Sequence, residues 1–313
     1  MLLTVTLNAA IDKTYTLACA NTPGDVLRVQ DMQATPGGKG INVAKAATAL
    51  GQRVMATGFL GGHAGRWVQE QLTAEGILCD AQPVPGQTRT CINIVEPDGR
   101  QTEFLEPGPE ISAEALNDFL VRFERLAREA CAVTMSGSLP RGVPNDIYAQ
   151  LIAICKRLGR PALLDTSGAP LQQGIRALPD VIKPNLQELG QLMGRPIACE
   201  TADVLACAQA LQATGIGLVV VSLGAKGAVA VTHDAAFHAI PPRIEAVSAT
   251  GSGDSFLAGL AVGMLRGQTL SDTLRLATAA AAANALNIET GRVHIEDVHA
   301  LLPQVKLRQM PAW

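Results

Sequence analysis

Four short apolar runs decide the fold, and the first of them reads Cys131-Ala-Val-Thr-Met135. The other three cover residues 161–165, 181–183 and 218–222. Each run is followed by a polar or glycine-rich loop and then by a stretch with helical spacing. Strands that alternate with helices are joined by right-handed crossovers, which place the strands parallel in one sheet with helices on both faces. The sequence therefore predicts an α/β fold whose central sheet is mostly parallel.

The rest of the chain continues this pattern on both sides. Residues 2–7 form an apolar opening strand, and residues 40–50 and 66–75 have the spacing of helices. Residues 229–232 and 236–240 are predicted to form an antiparallel pair late in the chain. Further helices are predicted over residues 112–129, 254–265, 270–288 and 295–301.

The segment before residue 110 departs from this alternation. Short strands are predicted at 14–17 and 26–32, and a hairpin surrounds the turn Glu96-Pro-Asp-Gly-Arg100. We expect these strands, at about 12–33 and 88–107, to form a separate small sheet that acts as a lid. The chain as a whole, residues 1–313, is then a single domain with this lid attached.

Composition narrows the class of protein. Hydrophobic residues make up 48% of the chain and charged residues 17%, which is enough apolar material for a large core. Aromatic residues are only 3% and the net charge is −3, so a nucleic-acid-binding surface is not expected. The seven cysteines include no C-x-x-C pair, and the first residues lack the basic start of a secretion signal. We therefore expect a soluble, cytoplasmic protein with reduced thiols.

The segment Thr250-Gly-Ser-Gly-Asp-Ser255 is the first candidate site. Two glycines before a helix start let several backbone N–H groups point at one spot, which suits a phosphate or a developing phosphoryl charge. An aspartate beside such a spot can accept a proton from an attacking hydroxyl. The structural alternative is an aspartate that only caps the helix, which is a common arrangement.

A second glycine-rich segment is Gly37-Gly-Lys-Gly-Ile-Asn42. It is not a P-loop, because the residue after Lys39 is a glycine and not serine or threonine. Glycines at a helix start allow a polar ligand to approach the backbone, and Lys39 would supply a positive charge. A loop with a solvated lysine is an equally good interpretation of this segment alone.

Two further segments follow predicted strands. In Lys183-Pro-Asn-Leu-Gln-Glu188, Asn185 and Glu188 lie on one helical face and could hold a hydrated Mg²⁺. The same pair could equally form a capping box, with asparagine in place of serine or threonine. Ser222-Leu-Gly-Ala-Lys-Gly227 is another glycine-spaced turn after a strand.

Taken in order, these segments and Ser136-Gly-Ser-Leu-Pro140 resemble the motifs of the ribokinase-type (PfkB) carbohydrate kinase family. The resemblance covers essentially the whole chain. The opening Thr6-Leu-Asn-Ala-Ala-Ile-Asp12 and the segment Gly86-Gln-Thr-Arg89 are similar to the branch with 1-phosphofructokinases and tagatose-6-phosphate kinases. Ala9 stands where that branch often has proline, a difference that affects the backbone rather than the chemistry.

The resemblance implies a ribokinase-like three-layer α/β/α fold with a β-sheet lid, and a role for each matching residue. Asp254 would be the catalytic base, with Gly251, Ser252 and Gly253 as the anion hole. The sugar phosphate would be bound by Asp12, Arg28, Gly37, Gly38, Lys39, Asn42, Arg89 and Ser138. ATP would be bound by Lys183, Asn185, Ser222, Gly224, Gly227 and Asn284, with Asn284 near the adenine. Mg²⁺ would be held by Asn185 and Glu188.

The activity implied is ATP-dependent phosphorylation of fructose 1-phosphate to fructose 1,6-bisphosphate, by a homodimer that pairs through the lid. Phosphorylation of tagatose 6-phosphate or of fructose 6-phosphate remains open, since the same basic residues could receive either compound. A non-catalytic sugar-phosphate sensor on the same fold is a more distant alternative. A serine esterase is another, because Gly253-Asp-Ser-Phe-Leu257 resembles a nucleophile segment with Ser255 as the nucleophile.

Overall fold

Two β-sheets organise the chain in the computed structural model, which describes residues 1–22 and 24–311. The strands, numbered in chain order, are β1 (Leu2–Thr6), β2 (Ala10–Leu17), β3 (Val29–Gly37), β4 (Val54–Gly61), β5 (Leu78–Cys79), β6 (Gln82–Val84), β7 (Arg89–Val95), β8 (Gln101–Leu105), β9 (Ala132–Ser136), β10 (Ala162–Asp165), β11 (Val181–Ile182), β12 (Leu218–Ser222), β13 (Ala228–Val231), β14 (Ala236–Ile240) and β15 (Lys306–Met310). The helices are α1 (Lys39–Ala49), α2 (Gly62–Ala74), α3 (Ala113–Glu129), α4 (Ile147–Arg157), α5 (Gly168–Gly174), α6 (Leu186–Met193), α7 (Thr201–Gln212), α8 (Ser252–Leu265), α9 (Leu270–Ala285) and α10 (Ile295–Leu301).

The large sheet confirms the predicted parallel arrangement. Its strand order is β15-β14-β13-β12-β11-β10-β9-β1-β4-β5, with β6 pairing beside β4. The strands from β12 to β5 in this order are parallel, whereas β13, β14 and β15 pair antiparallel at one edge. The predicted pair at 229–232 and 236–240 corresponds to β13 and β14.

Successive side chains of the central strands point to opposite faces of the sheet and form a hydrophobic core on each face. Leu2, Ala132 and Leu163 face the core formed with helices α1, α2, α8, α9 and α10. Their neighbours Leu3, Val133 and Leu164 face the core formed with helices α3 to α7. Because successive side chains of a strand point to opposite faces, strands covered on both sides are apolar throughout. The three-layer α/β/α architecture follows directly from these short apolar runs.

Helices α8 and α9 pack unusually closely on the first of these faces. A Cβ atom added to Gly259 would lie only 2.4 Å from Cα of Ala277, so the two backbones meet with no side chain between them. This contact accounts for the alanine-rich segment of α9, whose small side chains permit the approach. The same contact fixes the position of α8, whose first turn lies at the cavity described below.

The small sheet contains the expected lid strands, in the order β3-β2-β7-β8. The predicted bounds of its first two strands were wrong: the strand expected at 14–17 begins at Ala10, and the one expected at 26–32 covers Val29–Gly37. The pairing extends from Ala10 with Gly37 to Leu17 with Val29, through largely polar residues. Because most residues of these two strands are polar, the sequence shows no alternation of apolar and polar residues that would reveal the strands.

Other element boundaries also differ modestly from the predictions. Helix α9 ends at Ala285 instead of 288, and α2 begins at Gly62, four residues earlier than expected. The predicted hairpin turn is confirmed, because the Glu96 N–H donates to the Arg100 carbonyl at 2.9 Å. All seven cysteines are free. Within the described ranges, none of the helices combines the length and the apolar character needed to span a bilayer.

Candidate active site

A cavity of about 420 Å³ lies between the small sheet and the carboxyl ends of the central parallel strands. Ligands of open α/β sheets bind at this edge, where loops and helix starts converge. The large-sheet side contributes ends of strands and the first turns of α1 and α8, and the small sheet contributes β2, β7 and β8. The cavity is lined by Thr6, Asn8, Asp12, Lys13, Thr14, Gly38, Lys39, Asn42, Arg89, Cys91, Ile92, Asn93, Glu103, Leu105, Ser136, Gly137, Ser138, Thr166, Ser167, Thr250, Gly251, Gly253, Asp254 and Thr290.

The start of α8 brings Asp254 into this cavity. Gly251 caps the helix with φ of 81°, a conformation that favours glycine, and a Cβ there would lie 2.6 Å from Cγ2 of Thr290. Asp254 is only 5% exposed, and its Oδ2 accepts a hydrogen bond of 2.8 Å from Nδ2 of Asn42 at the start of α1. The two glycine-rich segments, 212 residues apart, therefore meet through one buried carboxylate.

Burial raises the pKa of Asp254 to about 6. Lys39 opposes this shift, Asp165 adds to it, and the Asn42 hydrogen bond and Lys183 act with Lys39 to lower the pKa. A carboxyl group with a pKa near 6 is mostly ionised at neutral pH and is basic enough to accept a proton efficiently. The arrangement is more than a helix cap: the Asp254 side chain makes no capping hydrogen bond to its own helix and instead bonds α1.

Asp165 is a site residue that the sequence reasoning missed. It ends β10, is 1% exposed, and its two oxygens lie 3.5 Å from Nζ of Lys39 and 3.3 Å from Nζ of Lys183. Its charge is the main reason why the pKa of Lys39 is raised. Its position in the sequence could have identified it, because a carboxylate at the carboxyl end of a predicted central strand lies at the edge of the sheet where ligands bind.

The predicted contact of Asn284 with the adenine is corrected by its environment. Asn284 has no exposed surface. Its Nδ2 donates to the Thr250 carbonyl at 2.9 Å and to Oγ of Ser252 at 3.3 Å, and its Oδ1 accepts from the Gly291 N–H at 2.9 Å. A buried amide with these partners holds the Gly251 loop in place and does not face a ligand.

Ser255 provides no support for the esterase alternative. Its side chain is completely buried, and its Oγ donates to Oδ1 of Asn284 at 3.2 Å. A serine nucleophile needs an accessible hydroxyl bonded to a base, and this hydroxyl is bonded to an amide in the helix interior. The resemblance of residues 253–257 to an esterase segment is therefore coincidental.

Three of the residues predicted to bind the sugar phosphate are Asp12 and Arg89 of the small sheet and Ser138 of the loop after β9, and all three line the cavity. Asp12 of β2 lies against Gly37, and burial raises the pKa of its carboxyl group while Lys45 and Arg89 act in the opposite direction. Arg89 donates from Nε and Nη2 to the Asn8 carbonyl and from Nη1 to the Glu106 carbonyl at 2.9 Å. Ser138 accepts a 3.3 Å hydrogen bond from Nδ2 of Asn8.

Two members of the predicted sugar-phosphate set lie outside the cavity lining. Arg28 is exposed and precedes β3 in a loop, so within one chain it does not reach the cavity. The prediction placed Arg28 inside a strand at 26–32, whereas β3 begins only at Val29. Gly37 does not line the cavity either; it makes room for the Asp12 carboxylate, since a Cβ at 37 would lie 2.1 Å from Cγ of Asp12.

Asn185 and Glu188 form the capping box that was one of the two interpretations of their spacing. The Glu188 N–H donates to Oδ1 of Asn185, and the Asn185 N–H donates to Oε2 of Glu188, both at 2.8 Å. One carboxylate oxygen of Glu188 remains outside the capping box. The capping role does not exclude a metal contact through that oxygen, and the predicted metal role stays a prediction.

The predicted nucleotide turn adjoins this capping box. Ser222 forms an isolated parallel bridge with Asn185, and its N–H donates to the Pro184 carbonyl at 3.0 Å. Gly224 and Gly227 border a short 3₁₀ turn, in which the Leu223 N–H donates to the Gly227 carbonyl at 2.7 Å. These residues lie beyond the cavity lining, at the ends of the neighbouring strands β11 and β12.

Several polar atoms of the cavity have no partner within the described chain. They are Thr6 Oγ1, Asn8 Oδ1, Asn42 Oδ1 and Ser136 Oγ, all buried and all on lining residues. A buried polar atom without a hydrogen bond is costly, by about 1–3 kcal/mol, so such atoms mark places where a ligand or water supplies the missing bond. Their number suits a ligand rich in hydroxyl groups.

Comparison with known proteins agrees with this site. The pfkB family of carbohydrate kinases matches residues 5–296. The chain belongs to this family. It is a sugar kinase of the phosphofructokinase-like kind, and its fold is that of ribokinase.

Solved structures with the same architecture include two phosphofructokinases. Phosphofructokinase-2 from Escherichia coli in complex with fructose-6-phosphate is 27% identical, with 97% of this chain and 98% of that chain covered and a TM-score of 0.88. A protein from Thermotoga maritima described as a possible 1-phosphofructokinase is 25% identical over 99% and 100% of the two chains, with a TM-score of 0.86. Ribokinase from Arabidopsis thaliana, solved with ribose and ATP, is 24% identical over 96% and 98%, with a TM-score of 0.78, and supports the fold alone.

We expect the kinase to gain stability when the charge of Asp254 is removed. Its pKa is raised in the folded state, so the ionised carboxylate destabilises the fold above pH 6, and protonation at lower pH relieves that cost. At pH 7.5, Asp254→Asn should increase the free energy of unfolding by on the order of 2–3 kcal/mol. Chemical denaturation at pH 7.5 and pH 5 measures both values.

The gain should shrink at pH 5, where wild-type Asp254 is largely protonated. Asp180→Asn is the control, because Asp180 lies at the opposite end of β10 and accepts a bond from the Ala162 N–H. An Asp254→Asn protein that is less stable than wild type at pH 7.5 would show that the carboxylate is held by its lysines more strongly than burial opposes it.

Proposed function

We propose that this kinase transfers the γ-phosphoryl group of ATP to a hydroxyl of a ketohexose phosphate, converting fructose 1-phosphate to fructose 1,6-bisphosphate. The observation that carries the proposal is the position of Asp254: a buried, ionisable carboxylate directly after Gly251–Gly253, facing a cavity with unpartnered polar atoms. A base beside an anion-binding helix start is the arrangement that phosphoryl transfer to a hydroxyl needs.

Asp254 would accept the proton of the sugar hydroxyl as its oxygen attacks the γ-phosphorus. The bond from that phosphorus to the bridging oxygen breaks, and ADP leaves with the electron pair. Asn42 keeps the carboxylate aimed into the cavity, since its amide holds one oxygen and leaves the other free of a side-chain partner. The first turn of α8 would stabilise the transferred group, because the N–H groups after Gly251 and the helix dipole favour negative charge there.

Recognition of the sugar phosphate would divide between hydroxyl and phosphate contacts. Asp12, whose carboxylate lines the cavity, suits hydroxyl groups. Arg89 is the cation that suits the phosphate already present on the substrate, whereas Lys39, next to Asp254, suits the phosphoryl group in transfer. All three guanidinium nitrogens of Arg89 donate hydrogen bonds to backbone carbonyls, which hold the side chain rigidly. Its remaining N–H groups would donate to the phosphate.

The nucleotide and its metal fit at the neighbouring strand ends. Lys183 is buried with its Nζ 3.3 Å from the position of a Cβ on Gly253, so it would meet the nucleotide phosphates beside the start of α8. Mg²⁺ on a nucleotide keeps several waters and needs one or two carboxylates, which the remaining oxygen of Glu188 fits, with Asn185 beside it. The metal would neutralise phosphate charge. Ser222, Gly224 and Gly227 would border the nucleoside.

Tagatose 6-phosphate and fructose 6-phosphate are the alternative acceptors. The E. coli phosphofructokinase-2 structure holds fructose 6-phosphate, and that enzyme is as similar to this chain as the possible 1-phosphofructokinase is. The cavity offers cations both at Arg89 and at Lys39, and either phosphate end could be received there. The similarity to phosphofructokinases supports a phosphorylated ketohexose as the class of substrate, and the choice among the three compounds is a matter for the assay described below.

The base assignment predicts a large loss of turnover in Asp254→Asn. We expect kcat to fall by roughly 10²–10⁴, the range for a lost general base, while ATP still binds. In the wild type, kcat/KM should fall as pH drops through about 6, because protonated Asp254 cannot accept a proton. A coupled ADP-release assay measures both, with Asp180→Asn as the active control; near-full turnover of Asp254→Asn would refute the assignment.

A second copy of the chain is the proposed partner of the small sheet. Met32, Phe104 and Leu105 are exposed apolar side chains on its strands β3 and β8. The E. coli phosphofructokinase-2 has been solved as an inhibited tetramer, so assembly occurs in a similar protein. We expect a homodimer through this sheet; sedimentation of wild type and Phe104→Glu should show a dimer only for the former, and a wild-type monomer would contradict the pairing.

A further inference from the structure

We infer that Asp165 is a positioning residue that fixes Lys39 and Lys183 on opposite sides of the transferred phosphoryl group. The inference rests on the proposed function and deepens it. Asp165 itself neither lines the cavity nor belongs to one of the sequence motifs, yet its carboxylate is shared by two lysines that arrive from different parts of the fold.

The two lysines belong to different sides of the reaction. Lys39 is the first residue of α1 and lines the cavity with about two-fifths of its side chain exposed. Lys183 follows β11, is 4% exposed, and lies against Gly253 outside the cavity lining. The two ammonium groups therefore approach Asp165 from different elements, one from the cavity lining and one from beyond it.

The carboxylate that joins them is itself firmly held. The Asp165 carbonyl accepts a 3.0 Å bond from the Gly137 N–H, and β10 is paired on both sides within the sheet. Neither carboxylate oxygen has a hydrogen bond that meets normal geometry within the described residues, so both are available to the ammonium groups. Two lysines without this carboxylate would repel each other and lose their common anchor.

A buried aspartate paired with a buried lysine can also serve stability alone. The distinction lies in the charges around Asp254, which is faced by Lys39 from α1, Lys183 from β11 and Asp165 from β10, with Asn42 bonded to it. The Asp165 charge raises the pKa of Asp254 and both lysines lower it. Removal of that charge should therefore move the acidic limb of the pH profile. A purely structural role predicts this shift with an unchanged kcat, whereas a positioning role predicts the shift together with a lowered kcat.

Asp165→Asn keeps the shape and removes the charge. We expect kcat to fall by about 10–100-fold, since small displacements of positioned groups cost up to 10² in rate. The acidic limb of kcat/KM should move to lower pH, because Asp254 loses a like-charged neighbour and keeps two lysines. Asp165→Glu keeps the charge and displaces it, so kcat should fall while the limb stays near its wild-type position.

The measurement is ADP release against pH for both variants, with Asp180→Asn as the control and thermal unfolding recorded alongside. A lowered kcat of Asp165→Asn with an unmoved limb, or a wild-type kcat with or without a moved limb, would overturn the inference. If Asp165→Asn does not fold, Asp165→Glu decides: wild-type kcat overturns the inference, and a lowered kcat with an unmoved limb supports it. Asp254→Asn separates the two proposals, because its full activity would refute the base assignment whatever the Asp165 variants do.

Discussion

The site depends on one constraint, the burial of the Asp254 carboxylate between the starts of two helices. Burial raises its pKa to about 6, and the 2.8 Å hydrogen bond from Asn42 fixes its direction. The helix start that carries this carboxylate is fixed in place where α8 packs against α9 at Gly259 without an intervening side chain. The rigid helix pair holds the carboxylate where solvent alone would not favour it.

The charges around Asp254 act in opposite directions on its pKa, and burial outweighs the lysines. Lys39 and Lys183 favour the ionised carboxylate, while burial and Asp165 oppose it. The carboxylates of Asp165 and Asp254 together offset the charges of the two lysines, so the site is not strongly positive before a phosphorylated ligand arrives. A pKa close to neutrality is the outcome, and a general base needs that value to be ionised and still basic.

The sequence predicted the parallel sheet because apolar runs alternate with helical stretches, and it predicted Asp254, Lys39 and Asn42 because glycines precede both helix starts. It missed Asp165, which no motif contains, although the alternation from Leu163 places it on the face toward α1 and α8. It assigned Asn284 to the nucleotide, since a helix pattern does not reveal that an amide is fully buried. The bounds of β2 and β3 were predicted wrongly, because their residues are mostly polar and show no alternation of apolar and polar side chains.

The most direct test of the account is ADP release by the wild-type kinase with ATP and Mg²⁺, measured separately with fructose 1-phosphate, fructose 6-phosphate and tagatose 6-phosphate. The account predicts turnover of about 1–100 s⁻¹ on a ketohexose phosphate, typical of kinases, with fructose 1-phosphate giving the highest kcat/KM. Binding of these compounds without ADP release on any of them would contradict it and would indicate a non-catalytic sugar-phosphate sensor.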